Sequence, residues 1–101
     1  MIEKRTAIDQ IEITDNGTVM VRFGLMLVED GNVVHRQWHR TAIPPGISVN
    51  DQLAVVDENL TQMNAAAIDR EKIPLLKSIV ELVHTPAVVS AYEALTTKET
   101  T

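Results

Sequence analysis

The sequence has no cysteine, which removes disulfides, thiolate metal sites and cysteine nucleophiles together. That suits a protein made in a reducing cytoplasm. Aromatic residues are almost as scarce: Phe23, Trp38 and Tyr92 are the whole set, so a core has to be built from Val, Ile, Leu, Met and Ala. No apolar run approaches the ~20 residues that span a bilayer. The opening Met1-Ile2-Glu3-Lys4-Arg5 lacks the apolar stretch of a secretory signal. Positive charge is also short, with a net −5 for the chain. Residues 1–47 carry five Lys/Arg against six Asp/Glu, a net −1, and residues 48–101 carry four against eight, a net −4. An acidic domain repels phosphate backbones, so neither nucleic acid nor a membrane is an expected partner.

What is present is ordinary globular material. Apolar residues make up 45% and charged residues 23% of the 101, which fits one domain with its own core. The expected class is α+β: a three-stranded antiparallel meander over about residues 7–43, then helices over about 49–64, 70–84 and 86–95. Residues 1–95 form the expected domain, and 96–101 an expected polar tail that frays.

The strand assignments rest on period two. Ile11 and Ile13 flank Glu12, and Val19, Val21, Phe23, Leu25 and Leu27 recur on one face of the next run. Side-chain sidedness then tests the turns, because a one-residue slip exchanges the faces. A two-residue Asn16-Gly17 turn sets the isoleucines against the Phe23 face. A three-residue Asp15-Asn16-Gly17 loop, with Gly17 left-handed, pairs Ile13 with Val19 and unites the apolar faces, so it is preferred. At the second turn, a two-residue Asp30-Gly31 loop places Trp38 opposite Phe23. That puts Arg36 and Arg40 on the core side, a conflict relieved if the arginines lie at the sheet margin or if Gly24 marks a bulge.

Pro44-Pro45-Gly46 ends the sheet. Ser48 is an expected N-cap, and Leu53, Val56, Leu60, Met63 and Ala67 form a 3-4-3-4 stripe. Asn64 is a candidate left-handed stop that leaves Ala67 in the next loop. Leu76, Ile79, Val80 and Val83 give the second helix its buried face. Thr85-Pro86 restarts the chain as N-cap and first helical residue.

Candidate chemistry is sparse. His35 and His39 share a strand face, but four residues put their Cα atoms roughly 13 Å apart. One zinc with ligands at ~2.1 Å does not reach both within a chain. Ser48, Ser78 and Ser90 sit in no nucleophile elbow. His84 is expected to meet carbonyls at a helix end, and Asp57-Glu58 and Asp69-Glu71 read as outer faces of amphipathic helices. There is no Walker motif, no G-x-G-x-x-G and no EF-hand loop. No cofactor, metal ligand or catalytic residue is assigned, and no enzyme is expected.

The segment from His35 to Arg40 stands out for combining Trp38 with Arg36 and Arg40. Stacking on nucleic-acid bases is one use of that combination. The segment has no matching basic surface elsewhere in the sequence, and a protein–protein contact is preferred, since Trp and Arg dominate interface anchors. Leu25-Met26-Leu27-Val28 is apolar on both faces, so helices or another subunit should cover the second face. Together these nominate Met26, Val28, His35, Arg36, Trp38, His39 and Arg40 as contact residues.

Several short motifs occur in a recognisable order. They are Asp9-Gln10-Ile11-Glu12-Ile13, Asp15-Asn16-Gly17-Thr18-Val19, Val21-Arg22, Glu29-Asp30-Gly31, His39-Arg40, Pro45-Gly46, and Thr85-Pro86-Ala87-Val88-Val89-Ser90-Ala91-Tyr92. The order resembles a family of small bacteriophage proteins encoded among tail genes. Family members look shorter across residues 53–82. The resemblance implies a virion protein of the tail or baseplate, made in the host cytoplasm, whose partners are other phage structural proteins or further copies of itself. It carries over no site residues. The alternative function is an assembly chaperone or regulator absent from the mature particle.

Overall fold

The computed structural model describes residues 1–99, with side chains through Leu95. Its elements are β1 (Ile2–Ile13), β2 (Val19–Glu29), β3 (Asn32–Ile43), α1 (Val49–Gln62), α2 (Ile73–Val83) and α3 (Pro86–Glu99). The strands form one antiparallel sheet in the order β1-β2-β3, and the three helices follow, so the chain is α+β.

The first hairpin has the register that unites the apolar faces: Ile13 pairs with Val19 and Ile11 with Val21. Gly17 is left-handed at φ +88°, and its N–H donates to the Thr14 carbonyl at 3.0 Å. The Asn16 side-chain oxygen accepts from the Thr18 backbone N–H and hydroxyl at 3.2 and 2.9 Å, which fixes the loop from within.

The second hairpin begins as expected, with Glu29 opposite Asn32 and Val28 opposite Val33, but Leu27 pairs with His35. Val34 is therefore an extra residue, and every later pair moves by one. Trp38 lies opposite Gly24, not Phe23, and Arg36 and Arg40 lie opposite Met26 and Arg22. The conflict over the arginines is resolved by a bulge at Val34 rather than at Gly24. A second irregularity, between Ile8 and Gln10, leaves Asp9 unpaired in β1.

β1 also starts at Ile2, earlier than expected. Glu3-Lys4-Arg5 shows no apolar alternation, and the segment is held by its ladder with Met26, Leu27 and Val28.

The helices pack on the inner face. Val19, Val21, Phe23 and Leu25 of β2 join Ile8 and Ile43 from the neighbouring strands. Leu53, Val56 and Leu60 of α1, Ile68, and Ile73, Leu76 and Val80 of α2 complete one cluster. Each such side chain contributes about 1.5–3 kcal/mol on burial. The Gln52 amide donates to Thr41 Oγ1 at 2.7 Å, tying α1 to β3.

α1 begins at Ser48, whose Oγ accepts from the Asp51 N–H. It ends on Asn64, left-handed at φ +58°. There the Asn64 N–H reaches the Thr61 carbonyl and the Ala65 N–H the Leu60 carbonyl, a Schellman closure. Met63 is the C-cap and half exposed, so the buried stripe stops at Leu60.

The following loop straps the β1 edge: Ile68 bridges Thr6 in parallel, and the Asp69 N–H donates to the Thr6 carbonyl at 2.7 Å. α3 is capped by Thr85 with Pro86 at its first position. It continues past Leu95 to Glu99; Thr100 and Thr101, the end of the expected tail, lie outside the described residues.

Candidate protein-contact face

α1 and α2 pack on one side and α3 meets the tip of the first hairpin, so among the described residues the other side of the sheet is left to its own side chains. Alternation along β2 sends Arg22, Gly24 and Met26 there, and the Val34 bulge sends Arg36, Trp38 and Arg40 to meet them. Gly24 has no side chain, so the edge of the Trp38 ring lies over it. The nearest ring carbon is 3.5 Å from where a β-carbon would stand. Trp38 is 45% exposed, and Phe23 is 0% exposed.

Two arginines flank the indole along the strand axis. Arg36, two residues before it, has its guanidinium carbon 5.6 Å from the ring centroid; Arg22, diagonally across on β2, is at 4.2 Å. Asp9, in the β1 irregularity, accepts from both Nε and Nη2 of Arg22, the former at 2.7 Å. Arg36 in turn has Nη2 3.9 Å from Met26 Sδ. Each cation–ring contact contributes about 0.5–1 kcal/mol at an exposed site. That offsets about a quarter to a half of the rotamer entropy of an ordered arginine, up to about 2 kcal/mol. The stack thus sets the Arg36 guanidinium beside the indole while Arg22 is held by Asp9, and Arg36 is the one of the two with the geometry to meet a carboxylate from outside.

The seven nominated residues do not make one surface. Met26, Arg36, Trp38 and Arg40 share the outer face. Val28 is buried at 6% and offers no contact area. His35 and His39 fall on the inner face, pairing with Leu27 and Phe23. His39 is half buried, with its ring 6.4 Å from that of Phe23, while His35 lines an open recess with Lys4, Leu27 and Met63 at the end of α1.

Sequence reasoning missed Arg22 and Asp9 as members of the face. The signal for Arg22 is available in the alternation of Met20, Arg22 and Met26 against Val19, Val21 and Phe23, whereas Asp9 sits at the β1 irregularity, which no residue pattern marks. Arg36 and Arg40 form no ion pair among the described residues.

Elsewhere the surface offers little chemistry. Among the described residues no group of three His, Asp or Glu is placed to hold a metal. His84 meets a carbonyl, but that of Gly17 in the hairpin tip, at 2.8 Å, rather than one at a helix end. No single helix is long and apolar enough to cross a membrane; α2 and α3 reach that length and composition only as a pair bent by 74°. No protein-family model, no curated protein and no solved structure matches this chain.

Proposed function

We propose that this chain is a non-enzymatic connector that joins larger proteins of an assembly through the outer face of its sheet. One observation carries the proposal: a half-exposed tryptophan, flanked by two positioned arginines, on a sheet face that no helix covers among the described residues. A single exposed apolar residue is ordinary on a protein surface, but Trp together with Arg is the combination that anchors interfaces. The ordered motifs shared with small phage tail-region proteins make tail or baseplate proteins the partners to test first.

The test is quantitative mass spectrometry of purified particles from the source of this gene, with wild type and Trp38→Ala supplied in turn. A connector is present at a fixed, symmetry-compatible copy number and is lost from particles when Trp38 is truncated in a folded protein. Absence of the wild type from mature particles, with abundant protein in the lysate, moves the assignment to a chaperone or regulator. Binding of single-stranded DNA or RNA that falls steeply with salt and requires Arg36 and Arg40 moves it to nucleic acid.

A further inference from the structure

The outer face carries Arg5, Arg22, Arg36 and Arg40 against Glu3, Asp9 and Glu12, and its acids all lie on β1, so the β3 side of the face is basic in a chain of net charge −5. Arg22 is answered by Asp9 within the face, whereas Arg36 and Arg40 form no ion pair among the described residues. The opposite side of the molecule has the complementary character. α1 contains Asp51, Asp57 and Glu58 and no lysine or arginine. Asp57 is used locally: its carboxylate lies near Arg70 and accepts from the Ile68 N–H. Asp51 and Glu58 are exposed, and they fall on one stripe with Val55, which is 48% exposed.

We infer that the occupant of the outer sheet face is a second copy of this chain, presenting the Asp51–Val55–Glu58 stripe of α1 to the Arg36–Trp38–Arg40 row of β3. This rests on the connector reading and names its nearest partner. The spacings agree: Asp51 and Glu58 are about 10 Å apart along the helix, and Arg36 and Arg40 about 13 Å apart along the strand. Arginine side chains span the difference. Val55 then falls between the two acids as Trp38 falls between the two arginines, so an apolar contact sits inside two ion pairs.

A two-fold contact of sheet on sheet around Trp38 instead sets Arg36 and Arg40 against their own copies. That juxtaposition is repulsive.

The contact joins opposite sides of a two-layer molecule, so it is head-to-tail. It repeats from copy to copy and builds a ring where the rotation closes or a filament where it does not. Three strands about 4.8 Å apart and ~38 Å long give a face of about 500 Å², hence at most about 1,000 Å² buried in total, the lower bound for specific interfaces. Association is therefore weak and strongly screened by salt.

The experiment is sedimentation velocity on the full chain from about 10 µM to about 1 mM, in about 0.02 M and about 0.5 M salt. Wild type gains mass with concentration at low salt and loses most of that gain at high salt. Arg36→Glu/Arg40→Glu and Asp51→Lys/Glu58→Lys each stay monomeric alone. An equimolar mixture of the two associates, because the intact sheet face of one meets the intact α1 of the other. Arg36→Ala and Glu58→Ala, milder changes at exposed positions, each reduce association where a double reversal fails to fold.

Wild type that is monomeric throughout overturns the second-copy occupant. So does an Asp51→Lys/Glu58→Lys variant that self-associates like wild type, the signature of sheet-on-sheet pairing. Incorporation into particles that still depends on Trp38 then leaves the connector reading standing with another partner, and incorporation indifferent to Trp38 removes both.

Discussion

The tip of the first hairpin is where a single methyl group should do most damage. Gly17 sits at φ +88°, and a β-carbon built there lies 2.5 Å from Val88 Cγ1 of α3 and 3.5 Å from the Pro45 ring. Gly17→Ala therefore meets two penalties. The left-handed backbone costs an L-residue about 1–2 kcal/mol, and overpacking against α3 costs about 1–3 kcal/mol more. The sum, about 2–5 kcal/mol, is a large share of the ~5–15 kcal/mol available to a domain.

Gly31 supplies the control. It is left-handed too, at φ +83°, but nothing lies within 4 Å of its added β-carbon. Gly31→Ala meets the backbone penalty alone, part of it offset by lower unfolded-state entropy, for a net of about 1 kcal/mol.

Urea unfolding at equilibrium separates the two. Gly17→Ala should lower stability by at least about 1 kcal/mol more than Gly31→Ala does. Repeating Gly17→Ala in a Val88→Ala background should return its cost to that of Gly31→Ala, a coupling of about 1–3 kcal/mol. Equal costs at Gly17 and Gly31, with no coupling to Val88, would show that α3 does not rest on the hairpin tip.

Further predictions concern the two faces of the sheet and the buried hydroxyl of Thr6. Trp38→Ala should cost less than about 1.5 kcal/mol, while Phe23→Ala, on the core face, should cost about 3–5 kcal/mol. Thermal melts followed by circular dichroism decide this, and equal costs would return Trp38 to the core. Thr6 is buried at 1% exposure, and its Oγ1 has no hydrogen-bond partner among the described residues. Thr6→Val should therefore stabilise the protein by about 1 kcal/mol. A loss of that size in urea titration would reveal a partner for the hydroxyl.

The legible parts of this fold were those written in side-chain chemistry. Asp15-Asn16-Gly17 and the Val19/Val21/Phe23 face set the first register together. Ser48, Asn64 and Thr85-Pro86 marked helix ends by the hydrogen bonds those residues make or the backbone they allow. The start of β1 was not legible, because Glu3-Lys4-Arg5 is held by backbone pairing to β2 and carries no apolar pattern of its own. The end of α3 was obscured by Thr96 and Thr97, weak helix formers beyond the last apolar position. The outer sheet face was half legible. The Arg-Trp-Arg composition flagged it, but the residues were gathered without knowing which side each would take.

That uncertainty has one physical source, the bulge at Val34, and it can be tested by removing a residue. Val34 is 56% exposed and faces no Cα partner in β2. Deleting it leaves Val33 opposite Val28 and His35 opposite Leu27, so all pairs from His35 to Ile43 survive in a regular hairpin. The faces downstream are unchanged, and Trp38 stays over Gly24 between its arginines. The deletion should fold with a stability change within about 1–2 kcal/mol, since an exposed valine and a local irregularity are all it removes. Trp38, the sole tryptophan, reports the outcome directly: acrylamide should quench its fluorescence in the native deletion variant as readily as in wild type. Were the hairpin regular in the wild type, the same deletion would shift every later residue by one and exchange the faces. In that wild type Trp38 would be shielded opposite Phe23 and would move out over Gly24 on deletion, so the variant would fail to fold or be quenched more readily than wild type. Either result would refute the register on which the outer face is built.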